Sequence, residues 1–235
     1  MDNLEKEAKL MDETYRKKIE NGEYEFSNFA SNKKFFKSLN FKKNYKILEI
    51  GSGTGYFLGY LYNKGFHNVH GCDISRVVIS YAKKKNKNIK YCLVTSDKLP
   101  FKSNYFDAAL SLDTVEHLPH IKAHFQEVRR VLKKGGIYAF ATPQKYIEVM
   151  YELIYNPHQI RNLRKGHCSS QTKFSLKKMF KQLNYTEISF KKVPYKVTRH
   201  LKNRVPKRLM FMFPLIKKIA ESNIIKPTLY CVMKK

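Results

Sequence analysis

Three sets of residues in this chain stand at spacings that could do chemistry. Glu49 leads into Gly51, Ser52, Gly53 and Gly55. Asp73 follows 18 residues after Gly55, with Ile74 beside it. Two histidines, His117 and His167, fall in segments that follow predicted strands. Alternate glycines suit a tight turn whose backbone approaches a ligand closely. A carboxylate about 20 residues farther on suits the gripping of ribose hydroxyls, though Asp73 could also be a helix-capping acid. Histidine titrates near neutrality, so either one could act as a base toward a hydroxyl acceptor. No metal cluster is evident, and the site is read as metal-free. The four cysteines (Cys72, Cys92, Cys168, Cys231) are scattered without a C-x-x-C pair, which points to neither zinc nor a disulfide framework.

The elements that must position these residues can be read from hydrophobic pattern. Ile47, Leu48 and Ile50 form an apolar run with Glu49 inside it, as in a buried parallel strand. The glycines follow, then a helix from Tyr56 whose first N–H groups point back into the turn. A second strand ends at Asp73, and Ser75 can cap a helix over 76–85. Further strands are expected at 89–94, 106–112, 137–141, 186–192 and 228–233. A helix over 125–134 is expected to end at a Gly135-Gly136 C-cap, and the next helix, over 175–185, is expected to be capped by Ser175. Strands alternating with helices predict an α/β fold. Residues 1–40 read as a helical leader, with Leu4, Ala8, Met11 and Tyr15 at near-helical spacing and Ser31 able to cap a helix through Leu39. Tyr24 or Phe26 could cover the pocket or simply pack.

The glycine pattern departs from the dinucleotide fingerprint G-x-G-x-x-G, because Tyr56 occupies the third glycine position. Glu-Ile-Gly-Ser-Gly-Thr-Gly instead resembles motif I of the Rossmann-like methyltransferases that use S-adenosylmethionine (SAM). Four further landmarks, between Asp73 and Thr142-Pro143, fit the same family: Asp-Ile-Ser, Leu-Pro-Phe at 99–101, Asp113-x-Val-Glu-His-Leu, and Arg-Val-Leu-Lys-x-Gly-Gly at 130–136. Lacking the Pro-Pro motif of base amino-methylases, the segment after the fourth strand is similar to the small-molecule branch. The resemblance implies a seven-stranded, mostly parallel, doubly wound sheet with helices on both faces. It also implies SAM as cofactor. Glu49 would support the turn and the ammonium end, with Gly51, Ser52, Gly53 and Gly55 as the floor. Asp73 and Ile74 would hold the ribose, and Leu112 and Asp113 would line the pocket. Ser96 or Asp97 would hold the adenine, although the usual acid position is Thr95. A methyltransferase domain over 41–235 follows, with 144–171 as an insertion and 194–226 as a basic, apolar segment, both on the acceptor side. His167, with Arg161, Arg164 and Lys165, could face the acceptor or form a solvated loop. His117 could be the base or could orient its loop with Glu116.

Bulk properties bound the partners. The chain has 235 residues and a net charge of +27. Residues 1–40 are balanced, with eight basic and eight acidic side chains, whereas 156–235 carry twenty basic residues against two acids. Such a field attracts phosphate, in RNA or in lipid headgroups. A composition shaped by an AT-rich genome would also raise lysine. The stretch 205–220, with Met210-Phe211-Met212-Phe213 between basic residues and prolines, suits core packing, a roof over an apolar acceptor, or an anionic membrane surface. No long apolar run and no secretory leader is evident, so the expected location is cytoplasmic, with peripheral attachment to the inner face of the membrane as an option. The expected activity is O-methylation of a small, lipid-linked or sugar-type acceptor. An RNA methyltransferase is the second choice, and a non-catalytic SAM-binding protein at the membrane surface is the third.

Overall fold

A computed structural model describes residues 3–22, 28–94, 98–145, 171–191 and 228–235, with the single positions 169, 193, 211 and 214. A seven-stranded sheet runs in the order β3-β2-β1-β4-β5-β7-β6. Its strands are β1 (Ile47–Ile50), β2 (Val69–Asp73), β3 (Lys90–Leu93), β4 (Phe106–Leu112), β5 (Leu132–Pro143), β6 (Thr186–Lys191) and β7 (Thr228–Lys234). The first five are parallel. β7 lies antiparallel between β5 and β6. β1 and β4 are the pair at which the winding reverses, and in such sheets ligands sit at the carboxyl ends of the strands at that point.

The sheet is central, so its alternating side chains fill two cores. Ile47 joins one core with Phe35 and Phe36 of α2 (Phe29–Lys37), Leu58 and Leu61 of α3 (Tyr56–Asn63) and Ile79 of α4 (Arg76–Lys85). Leu48 and Ile50 join the other, with Phe125 and Val128 of α5 (Ile121–Val131) and Leu176 and Phe180 of α6 (Lys173–Gln182). Helices on both faces explain why all four residues of β1 are buried. The leader helix α1 (Asn3–Glu20) packs on α4.

Three boundaries differ from expectation. α5 stops at Val131, and Leu132 already pairs with Phe106 in the sheet. The Gly135-Gly136 pair is therefore inside β5 and not a helix cap; Gly135, at φ 75°, holds the left-handed conformation there. α2 begins at Phe29, ahead of Ser31. α6 is capped by Thr172, whose hydroxyl accepts the Ser175 N–H while Ser175 reciprocates, so Ser175 is the third helical residue and not the cap. By contrast, Ser75 does cap α4, accepting the Val78 N–H at 3.3 Å. The expected helix at 146–155, the Arg161–His167 cluster and most of 194–226 lie outside the described residues.

Candidate active site

The turn after β1 holds Gly51, Gly53 and Gly55 all at positive φ (73°, 51° and 73°). Each glycine is further constrained by its surroundings. A Cβ on Gly51 would lie 2.2 Å from Thr114 Oγ1, and one on Gly55 would lie 2.3 Å from the Tyr91 hydroxyl. The Gly53 N–H donates to Asp73 Oδ2 at 2.9 Å, and the Ser75 N–H donates to Asp73 Oδ1 at 3.0 Å. The turn and the tip of β2 thus lock each other. Burial raises the Asp73 pKa, and the N–H donors of Ser75, Gly53 and Ile74 hold that rise in check.

A cavity opens at these strand ends. Ile50, Gly51, Asp73, Ile74, Leu112, Asp113 and His117 line it, as do Met11 and Tyr15 of α1 and Thr114. Glu49, Gly51 and Leu112 line a smaller adjoining recess with Phe29 and Asn32 of α2. Ser52, Gly53 and Gly55 line neither: they shape the turn from behind. Ser96, Asp97 and His167 lie outside the described residues. His117 sits in a single 3₁₀ turn, Val115–His117. Its neighbour Glu116 points into the interior and accepts from Thr142 Oγ1 at 3.0 Å.

The leader contributes more than its sequence indicated. Asp12 of α1 accepts from the Ser75 hydroxyl and from the Val77 N–H (3.1 Å), placing a carboxylate at the start of α4. That bond seats Tyr15 over the pocket, where burial and the carboxylates of Asp73 and Asp113 raise its pKa. Asn28 and Asn32 at α2 donate to the Asp113 carboxylate (3.2 and 3.5 Å). The apolar stripe Met11/Tyr15 was the available signal for the first contact. No sequence pattern pointed to the asparagines.

Three buried polar atoms around the turn have no hydrogen-bond partner: Glu49 Oε2, Ser52 Oγ and Thr54 Oγ1. Burial, and then the Asp73 carboxylate, pushes the Glu49 carboxyl well above the usual carboxylate range. Orphaned polar atoms of this kind are costly unless a ligand satisfies them. Of the three, Glu49 lines the recess, where its carboxyl suits a cofactor's ammonium group, and Asp73 on the cavity suits ribose hydroxyls, so these residues fit SAM.

The sheet order and the strand–glycine turn–helix site define a Rossmann-like nucleoside-cofactor protein. The methyltransferase domain family matches residues 48–140. That match covers somewhat less than half of the chain. It is 31% identical over 107 residues to a sterol 24-C-methyltransferase of Gibberella zeae, covering 43% of this chain and 28% of that protein. It is 36% identical over 110 residues to a ubiquinone biosynthesis O-methyltransferase of Pelagibacter ubique, covering 45% of each. The chain thus spans less than half the length of these curated relatives. A SAM-dependent methyltransferase structure from Archaeoglobus fulgidus shares the fold, with a TM-score of 0.64, 16% identity and coverage of 96% of this chain and 98% of that one.

Proposed function

We propose that this protein transfers a methyl group to a hydroxyl of a small, lipid-linked or sugar-type acceptor. The observation that carries the reading is the pairing of the Asp73-locked glycine turn with His117 on one cavity at the carboxyl ends of β1, β2 and β4. The bound cofactor supplies a methyl group made electrophilic by a sulfonium. The chain's own residues supply alignment and a dry pocket. Asp73 accepts from ribose hydroxyls, Glu49 faces the ammonium end, and Leu112 and Ile50 exclude water. His117 takes the acceptor's proton as the new bond forms.

Two features support a hydroxyl-bearing, amphiphilic acceptor. One matched relative is named as an O-methyltransferase. Among the described residues, Phe174 and Phe211 are each 78% exposed, and Phe174 stands on α6 beside Lys173, Lys177 and Lys178. Exposed aromatics among lysines suit contact with an anionic lipid surface.

The test is incubation with methyl-labelled SAM and separated cell extracts. Alkali-stable label, as a methyl ether, in a lipid or glycan fraction is the expected result. Label confined to RNA or protein would overturn the acceptor assignment, and no label in any fraction would overturn the activity.

A further inference from the structure

Two cysteines far apart in sequence stand side by side in the sheet. β2 and β3 run parallel in a register that sets Cys72 opposite Cys92. Neighbouring strands lie about 4.7–4.9 Å apart. A disulfide needs Cα atoms roughly 4.4–6.8 Å apart, so the backbone already meets that requirement. Residues paired in this way point to one face of a sheet. Both thiols do so here: Cys72 belongs to the core beneath α5 and α6, and Cys92 packs against that core. The two thiols share a hydrogen bond.

The two sulfurs are not equivalent. Cys72 is fully buried, whereas Cys92 is partly exposed and lines a surface cleft with Pro100 and Lys102. The Cys72 thiol donates to Cys92 and lowers its pKa, and the Lys83 ammonium adds to this against partial burial. That same bond, with burial, holds Cys72 well above the usual thiol range. Cys92 Sγ also donates weakly to the Gly71 carbonyl at 3.7 Å, a bond given up on ionisation. Thiolate character and access decide which sulfur an oxidant reaches first, and both select Cys92.

The place of the pair gives a bond there a consequence. Cys72 precedes Asp73, and its carbonyl accepts the Gly51 and Ser52 N–H groups (2.8 and 3.0 Å). Val94, two residues past Cys92, donates its N–H to the Asp73 carbonyl (3.0 Å) and lines the cofactor cavity. Closing two sulfurs from contact to about 2.05 Å draws the tips of the strands together or twists them. β3 is the edge strand of the described sheet, so it yields more readily than β2.

We propose that Cys72 and Cys92 form a reversible disulfide under hydroperoxide, Cys92 reacting first, and that the bond weakens cofactor binding by displacing Val94 and the tip of β2. The Cys92 thiolate attacks one peroxide oxygen, the O–O bond breaks, and hydroxide leaves with the proton that Cys92 lost, as water. The resulting sulfenic acid is attacked at sulfur by Cys72. Its S–O bond breaks, and the departing hydroxide takes the Cys72 proton as a second water. Two thiols are oxidised and one peroxide is reduced. A dithiol reductant reverses the bond by exchange. None of this depends on the acceptor assignment.

The full chain is treated with hydrogen peroxide, blocked with iodoacetamide and digested with trypsin without reductant. The expected product joins peptides 65–76 and 91–98, lighter by two hydrogens than their sum, and dithiothreitol separates them. Cys168→Ser should leave that product intact. Cys72→Ser should halt Cys92 as a sulfenic acid that dimedone traps, and Cys92→Ser should leave Cys72 unoxidised. By calorimetry the oxidised chain should bind S-adenosylhomocysteine at least about twofold more weakly than the reduced one, the low end for one lost hydrogen bond, with recovery on reduction. No joined peptide from the unsubstituted chain, a bond from Cys92 to Cys168 or Cys231 in its place, or equal affinity before and after oxidation would overturn the proposal.

Discussion

Asp73 carries the densest set of contacts at the cofactor pocket. The backbone N–H groups of Gly53, Ser75 and Ile74 orient it, and it lines the cavity. Asp73→Ala should weaken SAM binding by at least about tenfold, since a hydrogen bond to a charged group is worth about 1.5–3 kcal/mol; calorimetry reads this directly. Glu49 gives a second residue-scale prediction. Its folded-state pKa is raised by burial and by the Asp73 carboxylate, so in the free protein it keeps its proton to higher pH than an ordinary carboxylate does. A cofactor ammonium alongside would favour the carboxylate, so binding should release a proton and affinity should rise with pH. Calorimetry in buffers of different ionisation enthalpy measures the released proton, and Glu49→Gln should abolish it. His117→Gln should lower kcat by about 10²–10⁴ while leaving cofactor affinity within twofold.

The leader helix is the element whose placement matters most. Met11 and Tyr15 narrow the cofactor cavity to about 80 Å³, below the roughly 300 Å³ at which small-molecule pockets begin. Cofactor entry therefore requires α1 to shift, and Asp12 is what fastens it to α4. Asp12→Ala removes an N-terminal helix partner worth about 0.5–2 kcal/mol. It should speed cofactor association in stopped flow, and limited proteolysis should cut within 3–20 sooner. The boundary errors belong to this scale as well. Arg130-Val131-Leu132 reads as the end of an amphipathic helix, but Leu132 is recruited into the sheet beside Phe106. A partner strand outweighed the local glycine signal, which a window along the chain cannot sense.

Charge acts over the whole molecule. The excess of +27 is concentrated beyond residue 155, and the exposed lysines of α6 belong to its described part. Replacing Lys173, Lys177 and Lys178 by Glu should lower the salt needed to elute the protein from heparin. The same exchange at Lys33, Lys34 and Lys37, in the balanced leader, should lower it less. Equal shifts would mean that net charge alone matters and its placement does not.

The sequence by itself determined the α/β winding, the glycine turn after β1 and the carboxylate at the tip of β2. These are local: a buried strand favours an apolar run, a left-handed turn favours glycine, and the spacing between turn and acid is set by one helix and one strand. Only the tertiary structure decided that Asp12, Tyr15, Asn28 and Asn32 gather around the same pocket, and that Phe101 and Tyr105 both pack edge-on to Phe106 at the far end of the sheet. Those contacts join elements 60 or more residues apart, or depend on a loop held by Arg130 from across a helix. Their side chains carry no periodicity of their own, and packing alone brings them together.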